Sequence, residues 1–235
     1  MGSSPTMPTM NKKDSPYTPL WSPALAYAVG LLVTDGSLSV DGRHIILTSK
    51  DIDQINTFQH CIGTSLKIGI TKNPRASAFR VQIGDVKLYR WLLTIGLSVR
   101  KTYSLGVIDI PYEYFIDFLR GHLDGDGSIT TYTDASNASK NKKYVYTRIW
   151  VRFISASKPH LDWLQREIIS HIGITGRLHT VKPTDTRRVP MYILKFGKKE
   201  SLKLFPALYY SPNVPALERK RVIAELLMEK FSTNK

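Results

Sequence analysis

The segments Gly30-Leu-Leu-Val-Thr-Asp35-Gly36-Ser37-Leu38 and Gly121-His-Leu-Asp-Gly-Asp126-Gly127-Ser128-Ile129 follow one pattern and lie 91 positions apart. Each ends an apolar run of helical character with an acid, a glycine and a serine. A single copy could be only a helix C-cap followed by a turn. Two matched copies predict two related halves, each with a carboxylate at an equivalent helix end. Because neighbouring carboxylates repel unless a cation lies between them, the repeat indicates a metal site.

The elements around each motif repeat in one order: helix, two strands, helix, two strands, helix. Ser22-Pro23 starts the first motif helix, with a serine N-cap and a proline at the first helical position. The patterns predict helices over Ala24–Thr34, Asp51–Ile62, Asp85–Leu93, Tyr112–Leu123, Pro159–Ile172 and Lys198–Tyr209. They predict a short strand pair around Leu38–Ser49 and single strands around Ser65–Thr71, Ala78–Ile83, Gly127–Thr133, Tyr144–Ser155, Gly176–Lys182 and Met191–Phe196.

This duplicated order predicts an α+β protein with two αββαββα halves related by a pseudo-two-fold axis. Each half should have an antiparallel sheet with helices on one face only. We expect a flexible lead over residues 1–21, a first half over residues 22–110 and a second half over residues 111–235. The motif helices should form the interface between the halves, where Gly30, Gly121 and Gly125 permit close approach.

The charge of the chain favours a polyanionic partner. Lys and Arg number 33 against 19 Asp and Glu, and the second half carries most of the excess. An inert basic surface is the alternative, and a membrane surface explains the charge less well because no apolar stretch is long enough to span one. The single Cys61 excludes an intrachain disulfide and a cysteine-based zinc site, which favours an intracellular protein, in an organelle or a prokaryotic cytoplasm.

The open sheet faces are the candidate nucleic-acid surface. In the strand before Ser155, alternation predicts that Val145, Thr147, Ile149, Val151 and Phe153 enter the core. The intervening side chains form a basic and aromatic stripe that suits phosphates and base edges, although an ordinary solvated face would have the same alternation. The candidate contacts are Lys67, Arg80 and Gln82 in the first half and Lys140, Lys142, Lys143, Tyr146, Arg148, Trp150, Arg152, Arg177, His179 and Lys195 in the second.

The paired acids suit metal-assisted phosphodiester hydrolysis. A divalent metal activates water and offsets charge on the leaving oxygen, and Mg²⁺ prefers a few hard oxygen ligands. Asp35 and Asp126 are the candidate ligands, with the backbone carbonyl groups of Thr34 and Gly125 as further ones. A calcium loop starting at Asp124 is excluded, because it would need glycine and glutamate where Ile129 and Ala135 stand.

Aligned without gaps, Ala28-Val-Gly-Leu-Leu-Val-Thr-Asp35-Gly36 and Leu119-Arg-Gly-His-Leu-Asp-Gly-Asp126-Gly127 resemble the LAGLIDADG signature of homing endonucleases. Two motifs in one chain resemble the monomeric branch, over about residues 22–230. The resemblance implies saddle-shaped sheets that straddle a long DNA target, and cleavage of both strands with short 3′ overhangs. It implies Mg²⁺ or Mn²⁺ as cofactor, with Ca²⁺ able to occupy the site without supporting cleavage.

The resemblance carries Asp35 and Asp126 over as the metal ligands. It also implies a basic residue near each scissile phosphate, for which Lys101 and Lys220 are the symmetric candidates; a surface lysine or a simple phosphate contact is the alternative for each. The first motif departs from the signature at Val33-Thr34, so Asp124 in the second has no acidic counterpart. This difference predicts an asymmetric enzyme that reads an asymmetric target.

Two functions remain open from the sequence. The first is an intron-encoded, monomeric DNA endonuclease. The second is a non-cleaving binder on the same scaffold, either a maturase that binds intron RNA or a DNA-binding regulator. The intact acid pair favours the nuclease, since a pure binder has no need to keep both acids.

Overall fold

The computed structural model of the chain describes residues 19–73, 76–136, 139, 145–183 and 189–232. The first half contains α1 (Pro23–Thr34), β1 (Gly36–Leu38), β2 (His44–Ser49), α2 (Ile52–Cys61), β3 (Gly69–Asn73), β4 (Ala76–Gly84), α3 (Val86–Thr94) and α4 (Lys101–Ser104). The second contains a 3-10 turn (Tyr112–Tyr114), α5 (Phe115–Asp124), β5 (Ser128–Asp134), β6 (Tyr146–Ser155), α6 (Lys158–Ile172), β7 (Arg177–Val181), β8 (Met191–Phe196), α7 (Lys198–Leu208) and α8 (Glu218–Ser232).

The two halves have the same sheet topology. The strand order is β1-β2-β4-β3 in the first sheet and β5-β6-β8-β7 in the second, and every pairing is antiparallel. The predicted α+β class and its duplicated architecture are therefore confirmed. The predicted boundary between residues 110 and 111 stays a prediction. Most of the predicted N-terminal lead, residues 1–18, lies outside the described residues, as do Lys140, Lys142 and Lys143.

Helices α1 and α5 pack against each other along the seam between the halves. Ser22 caps α1, since its hydroxyl oxygen accepts from the backbone N–H of Leu25 at 3.1 Å. A Cβ atom at Gly30 would overlap the carbonyl oxygen of Phe118, and one at Gly121 would overlap that of Tyr27. Only glycine fits at these two crossing points, so the predicted role of the glycines in close approach is confirmed.

The sheets bury one face each, as the alternation in β6 shows. Ile149, Val151 and Phe153 are fully buried, whereas Tyr146 and Arg148 are exposed. Val145 was predicted to enter the core, and this is wrong: it is 47% exposed, because it precedes β6, whose first residue is itself exposed.

Several elements differ from the sequence prediction. Strand β3 begins at Gly69 rather than near Ser65, and the second motif helix opens with the 3-10 turn before α5. The patterns predict no helix after Tyr209, yet α8 spans Glu218–Ser232. Its sequence is mostly polar and charged, so it has no strong apolar period to detect. No helix among the described residues has the length and apolar character needed to cross a membrane.

Candidate active site

The two motif acids come together at the same end of the α1–α5 pair. Asp35 is the C-cap of α1, and its backbone N–H donates to Leu31 O at 2.9 Å. Gly125 is the C-cap of α5 and lies directly against Thr34 and Asp35, so that a Cβ atom on it would be 2.8 Å from Asp35 Oδ2. Asp126 follows Gly125 and lines a cleft with Thr34, Gly36 and Lys101, and its charge acts on Asp35. The repeated sequence thus brings one carboxylate from each half to this cleft.

The pair has the electrostatics of a cation site. Burial, together with the negative charge of Asp126, raises the pKa of Asp35 to about 6. The side chain of Asp126 is exposed, yet the protein around it desolvates the carboxylate and raises its pKa, while Lys101 and Lys220 act in the opposite direction. A divalent cation between the two oxygen groups would offset both effects.

The predicted lysines bind the ends of the motif helices. Lys101 Nζ donates to the carbonyl oxygens of Val33 and Thr34, the latter at 2.8 Å. Lys220 Nζ donates to Leu123 O, to Asp124 O at 2.9 Å and to Gly127 O at 2.8 Å. Carbonyl groups at a helix C-terminus lack helical partners and attract cations, so both lysines stabilise these ends.

The two lysines differ in the donors that they retain. Lys220 is buried and its three N–H groups have three carbonyl acceptors, whereas the described residues give Lys101 only two. Burial lowers the pKa of each lysine to about 8, and nearby acids oppose the shift. Lys101 therefore has a donor available for an added oxygen ligand, and Lys220 would have to give up a carbonyl bond to provide one.

The donor set fits a hard divalent cation that keeps several waters. Among the described residues, no group of three or more His, Cys, Asp or Glu side chains is placed to hold a metal ion. A cation at the seam would therefore be held by Asp35 and Asp126 and completed by water and backbone oxygen, as Mg²⁺ prefers. The Thr34 carbonyl, one predicted backbone ligand, already accepts from the Lys101 ammonium group.

Asp124 has a different role from the motif acids. It is buried, and its Oδ2 accepts from Tyr27 Oη at 2.9 Å and from the backbone N–H of Leu217 at 2.7 Å. Burial raises its pKa to about 6. Because it ties α1 and the start of α8 to α5, Asp124 stabilises the seam and does not face the cleft acids. The sequence alone left this role open.

The outer face of the second sheet carries a row of three cations. Arg152 pairs with Lys195, and Lys195 with Arg177, across β6, β8 and β7. Lys195 Nζ lies 3.5 Å from the centroid of the Trp150 ring. Trp150, Arg177 and Lys195 line a cavity of about 380 Å³, and His179 lines it as well. Like charges in adjacent strand positions destabilise a sheet, so this cation row is suited to an anionic ligand.

The other predicted contacts are more dispersed. Arg148 forms an ion pair with Asp134 at 2.9 Å and lies over the ring of Tyr146. In the first sheet, Arg80 donates to the side-chain oxygen of Gln82 at 2.8 Å. Lys67 is exposed just before β3.

Sequence reasoning missed Gln54. Its Nε2 donates to Asp35 Oδ2 at 3.1 Å from the first turn of α2. Nothing in the sequence distinguishes this glutamine from any other polar residue on an amphipathic helix, because the contact depends on how α2 packs beside α1.

No protein-family model matches the chain, and no curated protein matches its sequence. Solved structures do match. The I-LtrWI LAGLIDADG homing endonuclease bound to target DNA is 12% identical with a TM-score of 0.56, covering 90% of this chain and 91% of that one. This chain has the LAGLIDADG homing endonuclease fold. The fold that the two LAGLIDADG-like motifs implied is therefore confirmed.

Two further solved structures are similar to this chain. I-DmoI in complex with DNA and Ca is 15% identical with a TM-score of 0.55, and the match covers 86% of this chain and 97% of that one. Full-length DUF199/WhiA from Thermatoga maritima is 15% identical with a TM-score of 0.54. That match covers 91% of this chain but 62% of WhiA, so the chain spans less than two thirds of that protein.

Proposed function

We propose that the protein is a site-specific endonuclease that cuts both strands of a long, asymmetric DNA duplex and leaves short 3′ overhangs. The observation that carries the proposal is the meeting of Asp35 and Asp126 at the paired helix ends, where each carboxylate has a raised pKa. Two ionised carboxylates that lie near each other repel, and this repulsion destabilises the fold unless a cation lies between them. Since both halves lie in one chain, the protein acts as a monomer.

A divalent ion, Mg²⁺ or Mn²⁺, is the proposed cofactor, and the structures of I-DmoI with DNA and Ca or Mn support this class of ion. When bound, it would activate water and offset charge on the leaving oxygen. Asp35 and Asp126 hold it, with backbone oxygen from Thr34 or Gly125 as a further ligand. Ca²⁺ is expected to bind without supporting cleavage.

The lysines have unequal proposed roles in this nuclease. Lys101 can donate its third N–H to a non-bridging phosphate oxygen while it holds the end of α1. Lys220 uses its three donors on α5 and the following turn, and it mainly keeps Asp126 in place. The outward side chains of the two sheets are the proposed DNA contacts, with the cation row as the principal one.

A non-cleaving binder is the second candidate function. It is favoured by the likeness to full-length DUF199/WhiA, which covers 91% of this chain. Such a binder could act on DNA or on intron RNA through the same basic faces. It would not depend on the ionised acid pair.

A selection from a randomised duplex library separates the two functions. The purified protein is incubated with the library and Mg²⁺, and cut ends are captured and sequenced. A nuclease yields one recurrent cut sequence with short 3′ overhangs, and Asp35→Asn abolishes the product. If the protein only retards duplexes in a gel and the library never yields cut ends, the binder is the correct function.

A further inference from the structure

A buried amide orients one of the two acids. Gln54 is 3% exposed, and its Nε2 donates to Asp35 Oδ2 at 3.1 Å. Its Oε1 accepts from Ser49 Oγ at 2.7 Å, while Ser49 Oγ accepts from the backbone N–H of Asp51 at 3.0 Å. Because the Ser49 hydroxyl hydrogen is directed at Oε1, the amide nitrogen must face Asp35. The chain Asp51–Ser49–Gln54 thus fixes one rotamer of the carboxylate.

The described residues of the second half form no matching chain of hydrogen bonds to their motif acid. The third residue of α2 is Gln54, and the third residue of α6 is His160. The Nδ1 of His160 donates to Gly106 O at 2.8 Å, and its Nε2 lies 3.1 Å from His122 Nε2. Both ring nitrogens are therefore engaged away from the cleft. No described residue donates a hydrogen bond to the side chain of Asp126, which is exposed.

The serines at the ends of the matched strands show where the halves diverge. Ser49 ends β2 and Ser155 ends β6, and each hydroxyl oxygen accepts from the backbone N–H two residues later, at 3.0 and 3.1 Å. The turn is the same in both halves. Only Ser49 passes its hydroxyl hydrogen to a side chain that reaches a motif acid.

We propose that Gln54 is a positioning residue for Asp35 alone, and that the enzyme therefore cuts the two strands of the target at different rates. This inference rests on the proposed nuclease function. A carboxylate already held in its working rotamer needs no further ordering when substrate arrives, whereas Asp126 must be ordered during each turnover. The half-site that depends on Asp35 is therefore cut first, and a duplex nicked in one strand is the intermediate.

The test compares Gln54→Met with Gln59→Met. Methionine has nearly the shape of glutamine and cannot donate a hydrogen bond. Gln59 is also buried on α2, at 7% exposure, but its Oε1 has no partner and it does not reach the acids, which makes it a matched control. The substrate is the duplex that the wild-type protein selects from the library, with a different dye on each 5′ end, cut in Mg²⁺ under single-turnover conditions.

We expect Gln54→Met to slow one strand about tenfold and the other less than about twofold, because a misplaced catalytic group lowers the rate only where it acts. The strand that is slowed should be the one that the wild-type protein cuts first. Ser49→Ala, which frees the amide to rotate, should slow the same strand by a smaller factor. Gln59→Met should leave the ratio of the two strand rates unchanged.

If Gln54→Met is folded and the ratio of the two strand rates is unchanged, whether both strands are slowed equally or neither is slowed, the inference is overturned. A general loss of stability would slow the two strands together, so the ratio separates positioning from a structural effect. If Gln54→Met does not fold, the strand ratio of Ser49→Ala decides alone. A wild-type protein that cuts no duplex contradicts the proposed nuclease itself, which is a separate result from an altered ratio.

Discussion

The two halves share one sheet topology but differ in the charge of their sheet faces and in the hydrogen bonding of their motif acids. Three residues before the end of β6 stands Arg152, paired with Lys195; three residues before the end of β2 stands Ile46, paired with Gln82. The second sheet thus presents cations where the first presents an aliphatic and an amide side chain. The first half, in turn, holds its motif acid with Gln54, whereas no described residue donates such a bond to Asp126 in the second half. The cation row lies on the sheet of the second half, and the hydrogen bond that orders a motif acid lies in the first half.

The comparison suggests that duplication fixed the parts that both halves must share. Helices α1 and α5 meet through glycines on both sides, and a lysine binds the end of each. Any change at the seam would alter both halves at once. The outward side chains of each sheet and the residues that bond to a motif acid, such as Gln54, each belong to one half. They can therefore diverge without disturbing the fold.

Loss of either motif acid should have the largest effect and tests whether the halves depend on each other. Asp35→Asn or Asp126→Asn should slow cleavage by about 10³-fold or more, because the amide cannot hold the cation that offsets charge on the leaving oxygen. Binding to the same duplex in buffer without divalent cations should remain within about threefold, since the sheets are untouched. Product measured in Mg²⁺ at more than a tenth of the wild-type rate would contradict the assignment of the substituted acid.

A side chain at the seam should come next in size, as a loss of stability. Gly121→Val places a Cβ atom onto the Tyr27 carbonyl group, and backbone on both sides prevents a local adjustment. We expect a loss of about 3 kcal/mol in the free energy of unfolding, measured in urea, at the upper end of overpacking costs. Gly106→Ala is the control, because a Cβ atom there meets nothing within 4 Å. Equal stabilities for the two variants would mean that α1 and α5 do not pack as described.

The sequence predicted what depends on local pattern and on the repeat. The motif helices, the repeated order of helices and strands, and the meeting of Asp35 with Asp126 follow from periodicity and from duplication. The structure adds what depends on packing between distant segments. Gln54 reaches Asp35 only because α2 packs beside α1, and Lys220 reaches the end of α5 on α8, a polar helix with little periodicity to detect. Val145 was misplaced because alternation does not show where a strand begins.

The buried histidine pair should make the second half sensitive to acid. Burial lowers the pKa of His160 to about 4, and burial together with the neighbouring His160 lowers the pKa of His122 well below its usual value. Since these groups take up protons in the unfolded chain at a higher pH than in the fold, they reduce stability as pH falls from about 6.5 towards 4. The change for His160 alone is about 2–3 kcal/mol.

His160→Gln gives both halves the same residue at the third helical position and tests this effect. The variant should lose less stability than the wild-type protein between pH 6.5 and 4.5, measured by urea unfolding at each pH. Asp35 and Asp124 act in the opposite sense, because their raised pKa values favour the fold as pH falls, so only the difference between the two proteins is informative. Parallel pH profiles would show that His160 is not buried as a neutral ring.

The smallest expected effect concerns the two sheet faces and separates them directly. Arg177 is exposed at the end of the cation row, whereas Arg80 already uses one of its N–H donors on the side-chain oxygen of Gln82. Binding of a random-sequence 30-base-pair duplex, followed by fluorescence anisotropy at increasing salt, reports the number of phosphate contacts. Arg177→Gln should reduce the slope of log affinity against log salt by about 1, and Arg80→Gln by less than about half of that.

Lys203→Gln is the control, because Lys203 is exposed on α7 and the helices cover the opposite face of the sheet; it should leave the slope unaltered. If Arg80 and Arg177 contribute equally, affinity is shared between the halves, and the asymmetry of the protein lies in its cleft alone.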